Sequence, residues 1–167
     1  IRAAEKLNVE IWNEARGLFR AGMTEREMAR TIKRLMIERG DGEAFETIVC
    51  VGANAAECHH RPDDTVWNGR EPVLVDMGVK LGGYCSDLTR NIVPKGVRGL
   101  YREVYALVER ANRAAIAAVR PGVKASSIDR IARGIIRDGG FGKCFGHALG
   151  HGVGYEIHEL PAVSRRG

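Results

Sequence analysis

The chain has 167 residues, 44% of them apolar and 28% charged, a length and balance that suit one globular domain with a sizeable core. Its net charge of +5 does not point to nucleic acid, because the basic residues are scattered among acidic ones, as in Glu25-Arg26-Glu27 and Arg102-Glu103, and form no run. No stretch of about 18 apolar residues exists, so no membrane span is expected. The four cysteines, Cys50, Cys58, Cys85 and Cys144, are too widely spaced for a zinc ribbon, and without a visible secretion signal they read as buried thiols of a cytoplasmic protein.

Ala4, Leu7, Ile11, Ala15 and Phe19 recur at helical spacing and predict a helix from about Arg2 to Ala21. Thr24 with Glu27 three residues on is a capping box, and the stripe Met28, Ile32, Leu35, Met36 carries a second helix to Gly40. The β-branched run Thr47 to Val51 predicts a strand, and Val73 to Val79 and Tyr84 to Val93 predict two more. A long helix is expected from about Arg98 to Val119 and another from about Ala125 to Asp138. A glycine-rich segment with three histidines follows, too rich in glycine for a helix and suited to extended chain.

The chain repeats itself at an offset of one hundred positions. Arg20-Ala21-Gly22-Met23 resembles Arg120-Pro121-Gly122-Val123, and Met28, Leu35, Met36, Gly40 and Phe45 match Ile128, Ile135, Ile136, Gly140 and Phe145. This predicts one pseudo-twofold α/β domain over 1–167, with half-repeats of about 1–95 and about 97–167 and a site between them. The second half is too short to repeat the strands of the first, so its last strands are expected beyond Gly167, and the start at Ile1 suggests a lost preceding segment.

All five histidines fall in two short stretches, Cys58-His59-His60-Arg61-Pro62 and Gly146 to Pro161, and two aspartates lie between them in a hydrophobic hairpin pattern. A turn centred between Leu81 and Gly82 would set Asp76 directly opposite Asp87. Two such carboxylates destabilise a hairpin unless a shared proton or a cation sits with them, and two bridged divalent metals are a common hydrolytic device. His151 and His158 have opposite strand parity, so both face one place only if the strand bulges or bends, which Gly152 and Gly154 permit. His60, beside His59, points the other way and is left out of the site.

The combination His59-His60-x-Pro62, Val75-Asp76-x-Gly78, Gly83-Tyr84-x-Ser86-Asp87-x-Thr89-Arg90 and Gly150-His151-Gly152-x-Gly154-x-x-x-His158-Glu159-x-Pro161 resembles the pita-bread metallopeptidases over essentially the whole chain. The paired histidines before Pro62 and His147 four residues before His151 look like the Xaa-Pro aminopeptidase and prolidase branch rather than the methionine aminopeptidases. The resemblance implies a pita-bread fold, antiparallel sheet with flanking helices, usually preceded by a separate N-terminal domain. It implies Asp76, Asp87 and His151 as metal ligands, two further glutamate ligands beyond Gly167, and His59, His147 and His158 as substrate-side catalytic histidines. It also implies two divalent ions, manganese or cobalt before zinc, and a metal-bridging hydroxide that attacks the Xaa-Pro bond of a peptide or dipeptide. The intact protein is expected to be a homodimer, and this chain alone inactive. Tyr155 stands where an aliphatic residue is commoner. The rival readings are a methionine aminopeptidase and a non-catalytic pita-bread binding module.

Overall fold

The computed structural model describes residues 1–166. Two compact units divide it, one from Ile1 to Val97 with the segment Val153–Ile157, the other from Arg98 to Gly152 and again from His158.

In the first unit, α1 (Arg2–Leu18) and α2 (Glu25–Arg39) pack on one face of an antiparallel sheet of β1 (Ile48–Val51), β2 (Val73–Met77) and β3 (Leu88–Ile92), in that order across the sheet. α1 buries Ala4, Ile11, Trp12 and Ala15, the row its apolar spacing predicts. It stops short of Ala21 because Phe19 is already extended and Gly22 turns with φ 97°. α2 opens on the expected capping box, worth about 1 kcal/mol: Glu27 N donates to Thr24 Oγ1 at 3.1 Å, and Thr24 N to Glu27 Oε2 at 2.8 Å.

β2 alternates as a half-buried strand should. Val73, Val75 and Met77 face the helices, while Leu74 and Asp76 turn to the other side. Each of the three fully buried side chains stabilises by roughly 1.5–3 kcal/mol, and a slip by one residue would drive Asp76 into the core. Asn8 of α1, also buried, donates from Nδ2 to Met77 O at 3.0 Å and ties the helix to the end of β2.

The hairpin register differs from the one read in the sequence. Asp76 pairs with Thr89, not with Asp87, and Met77 pairs with Leu88. The reason is the turn. Leu81 and Tyr84 bond to each other, and Gly82 and Gly83 between them have φ of 59° and 80°. Two consecutive left-handed residues make the tight turn that matches strand twist, and a Gly-Gly pair takes it without strain. The shift is two residues, an even number, so Asp87 keeps the same face as Asp76 but sits diagonal to it.

In the second unit, α3 (Leu100–Ala117) packs on α4 (Ala125–Ile136) through Ala111, Ala115 and Ala132 with the larger Ile128 and Ile136. Phe145 completes this core. α4 ends in a wider turn through Arg137–Phe141, closed by Gly140 at φ 89°. The short strands β4 (Gly150–Gly152) and β5 (Glu159–Val163) then pair antiparallel. Of the positions matched at the offset of one hundred, Met28 and Ile128 are both buried, as are Met36 and Ile136, and Gly22 and Gly122 both have positive φ, whereas Gly40 has φ −141° and Gly140 φ 89°. No helix among the described residues is long and apolar enough to cross a membrane. Cys50 and Cys85 are buried as expected, but Cys58, in the turn before His60, and Cys144, in a short 3-10 turn after α4, are exposed.

Candidate functional site

Asp76 and Asp87 lie on the sheet face turned away from α1 and α2. Both are partly exposed. Thr89 Oγ1 donates to Asp76 Oδ1 at 2.5 Å, so the residue directly across the ladder orients this carboxylate. Asp87 is fixed through its backbone, its N–H donating to Glu5 Oε1 of α1 at 2.8 Å. Thr89 was visible in the sequence pattern but carried no role there, because a role follows only from the true register. On the same sheet face, opposite Leu74, burial pushes the Cys50 thiol up to about 12, with the charges of Glu25 and Asp76 adding to it, which leaves this cysteine inert.

The glycine-rich segment is extended, with a register shift between Gly150 and Gly152. Between β4 and β5 the chain reverses through bends at 154–158, and this return, which pairs Gly152 with Glu159, puts His151 and His158 side by side, ring centroids 4.2 Å apart. Gly152 is required there: a Cβ on it would fall 2.8 Å from Glu159 O and against the Leu160 backbone. His151 Nδ1 donates to Gly152 O at 2.9 Å. A carbonyl only accepts, so the neutral ring carries its proton on Nδ1 and its lone pair on Nε2, the nitrogen a metal would take. His147 makes the equivalent bond to Ala148 O at 2.7 Å, and its ring lies edge-on to Phe145.

The segment that carries His147 is held by α4. Arg133 pairs with Asp129 one turn earlier, Nη2 to Oδ1 at 2.7 Å and Nε to Oδ2 at 2.8 Å. The same guanidinium donates to Phe145 O and His147 O, each at 2.9 Å, and stacks over the Phe145 ring. The hydrogen bond from Arg133 holds the buried Asp129 carboxyl below the usual range against the opposing pull of burial. Sequence reasoning missed this pair, though its i, i+4 spacing on a helix was a usable signal.

His59 is exposed, in the loop after Val51, and His60 beside it is buried, as their opposite directions imply. His60 Nε2 lies 2.6 Å from Glu25 Oε2. Burial alone would lower its pKa, but the hydrogen bond and charge of Glu25 outweigh it and raise it. Tyr155 is exposed and stacks on Tyr84, centroids 4.4 Å apart. Of the six predicted site residues, His59, Asp76 and Asp87 belong to the first unit, and His147, His151 and His158 to the second.

The pattern that defines metallopeptidase family M24 matches residues 1–167. An Xaa-Pro dipeptidase of Lactobacillus delbrueckii subsp. lactis is 40% identical over 147 residues, covering 87% of this chain and 40% of that protein. An X-Pro aminopeptidase from Thermotoga maritima MSB8 superposes with a TM-score of 0.95 at 36% identity, covering 99% of this chain and 47% of that one. A prolidase from Pyrococcus furiosus superposes with a TM-score of 0.92 at 37% identity, over 97% of this chain and 48% of that one. The chain belongs to metallopeptidase family M24 and has the mixed α/β pita-bread fold. It spans less than half the length of the relatives it matches.

Proposed function

We propose that the whole protein hydrolyses the bond before proline in Xaa-Pro peptides or dipeptides, with two divalent metal ions, manganese or cobalt before zinc. The observation that carries this reading is the hairpin, which sets Asp76 and Asp87 on one open face of the sheet, with Thr89 Oγ1 fixing one carboxylate. Two carboxylates on one open face offer oxygen donors to divalent cations. The donor set fits such ions: carboxylate oxygens from Asp76 and Asp87, and imidazole Nε2 from His151, whose Nδ1 is committed to Gly152 O. Two further glutamate ligands are expected from the family resemblance. When bound, the metals supply a nucleophile at neutral pH and polarise the scissile carbonyl.

The chain's own residues do the rest. His158, beside His151, donates to the oxyanion that develops on the carbonyl oxygen. His147 and His59 contact the peptide and fix its orientation, and a homodimer is the proposed assembly. The reading is tested with Asp87→Asn in the whole protein, by metal content and by hydrolysis of Xaa-Pro against Met-Ala peptides. Loss of both metal and Xaa-Pro cleavage is expected. Unchanged metal content and ligand binding would favour a non-catalytic binding module, and a preference of the unsubstituted protein for Met-Ala would favour a methionine aminopeptidase.

A further inference from the structure

Glu25 stands at the first position of α2, yet its side chain is fully buried. Every acceptor direction of its carboxylate is used. Oε1 accepts from Val51 N at 2.6 Å and from Asn54 Nδ2 at 2.9 Å. Oε2 accepts from Asp63 N at 3.2 Å and meets His60 Nε2 at 2.6 Å. The backbone on both sides closes the same arrangement, Glu25 N donating to Thr65 O and Arg26 N to Asp63 O, each at 3.1 Å. All four partners of the carboxylate come from residues 51–63, and His59 lies inside that span.

Glu25, His60 and Asp63 also bring ligand atoms within 4.8 Å of one another, a spacing a cation could use. The bonds already made argue for a brace instead. At 2.6 Å the Glu25 and His60 atoms are in direct hydrogen bond, and Asp63 Oδ1 already accepts Thr65 N at 2.7 Å. Burying a carboxylate is costly, and apolar packing alone would hold a helix start more cheaply. The cost is understandable where a loop must keep one conformation. Drawing His60 inward turns the adjacent His59 outward.

We propose that Glu25 is a positioning residue for catalysis: by holding His60, Asn54 and the backbone of Val51 and Asp63, it fixes where the exposed His59 imidazole meets the substrate. The inference rests on His59 acting on the substrate side. The whole, manganese-loaded protein carrying Glu25→Gln should lose about 10- to 100-fold in kcat, with metal content and KM unchanged. The same substitution in a His59→Ala background should cost nothing further, since no imidazole is left to misplace. An equal loss in both backgrounds, or no loss in either, overturns the proposal. If Glu25→Gln does not fold, Asn54→Ala removes one donor of four and should lower kcat about threefold, again only while His59 is present. An equal loss in both backgrounds, or none, overturns the proposal there too. Full activity of His59→Ala alone overturns it in a distinguishable way, by showing that His59 has no catalytic part to be positioned for.

Discussion

Thr89 shows how much of the site depends on one hydroxyl. Its bond to Asp76 Oδ1 leaves fewer orientations open to the carboxylate before any ion arrives. Thr89→Val keeps the β-branched shape and removes the donor, so metal affinity of the whole protein should fall about 10-fold or more, read by manganese titration. An unchanged affinity would mean that the hydroxyl does not orient the ligand. His60 gives a second test, through pH. Its folded pKa is raised above the ordinary 6.5, with Glu25, Glu57 and Asp63 as the carboxylates facing it. The stability it contributes is therefore full below about pH 6.5 and is lost as pH rises through the folded value. Hydrogen-exchange protection of the Val51 and Asp63 amides, corrected for intrinsic rates, should weaken as pH rises above about 6.5; a flat corrected profile would contradict the brace. The exposed Cys58 should react with iodoacetamide in the native protein, while Cys50, buried and pushed up to about 12, should react only on unfolding.

Among the elements, the hairpin was legible in outline and misread in detail. β-branched runs and apolar alternation located β2, and the same signals located the helices, because core burial dominates their energetics. Register is set by turn chemistry, and the Gly82-Gly83 pair was given too little weight against Leu81. The error was even, so the face of both aspartates was still right. Replacing Gly82 and Gly83 by alanine should destabilise the protein by roughly 1–2 kcal/mol per residue, measured by urea unfolding. A neutral result would mean that the turn relaxes to another type. Parity left His151 and His158 a bulge or a bend, since an odd spacing on a straight strand cannot serve one site, and the bend is what forms, as the reversal between β4 and β5. Glu25 gave no such signal: an acidic residue in the first turn of a helix is ordinary, and only the fold reveals that this one is buried.

At the scale of the whole molecule, the proposed ligands are divided between the two units, Asp76 and Asp87 in one and His151 in the other. The chain spans about 40% of the curated relatives it matches. We therefore expect this 167-residue chain, given manganese or cobalt, to show no Xaa-Pro turnover by itself; robust cleavage by it alone would mean that no further ligand is needed. The proposed site positions stand out in the sequence by residue type, since imidazole and carboxylate are the groups that divalent metals take. Of the supports behind them, Asp129 and Arg133 showed only their helical spacing and Glu25 nothing, because the loop carbonyls and amides they hold are brought to them by the fold.

Arg133 carries one more consequence. Its guanidinium joins the last turns of α4 to the carbonyls of Phe145 and His147. When that helix frays, the histidine segment is released while the packed alanines of the unit are still in place. Inactivation by heat or acid should thus run ahead of global unfolding, and a substitution in α4 far from any reacting atom would be felt first as lost turnover rather than lost fold.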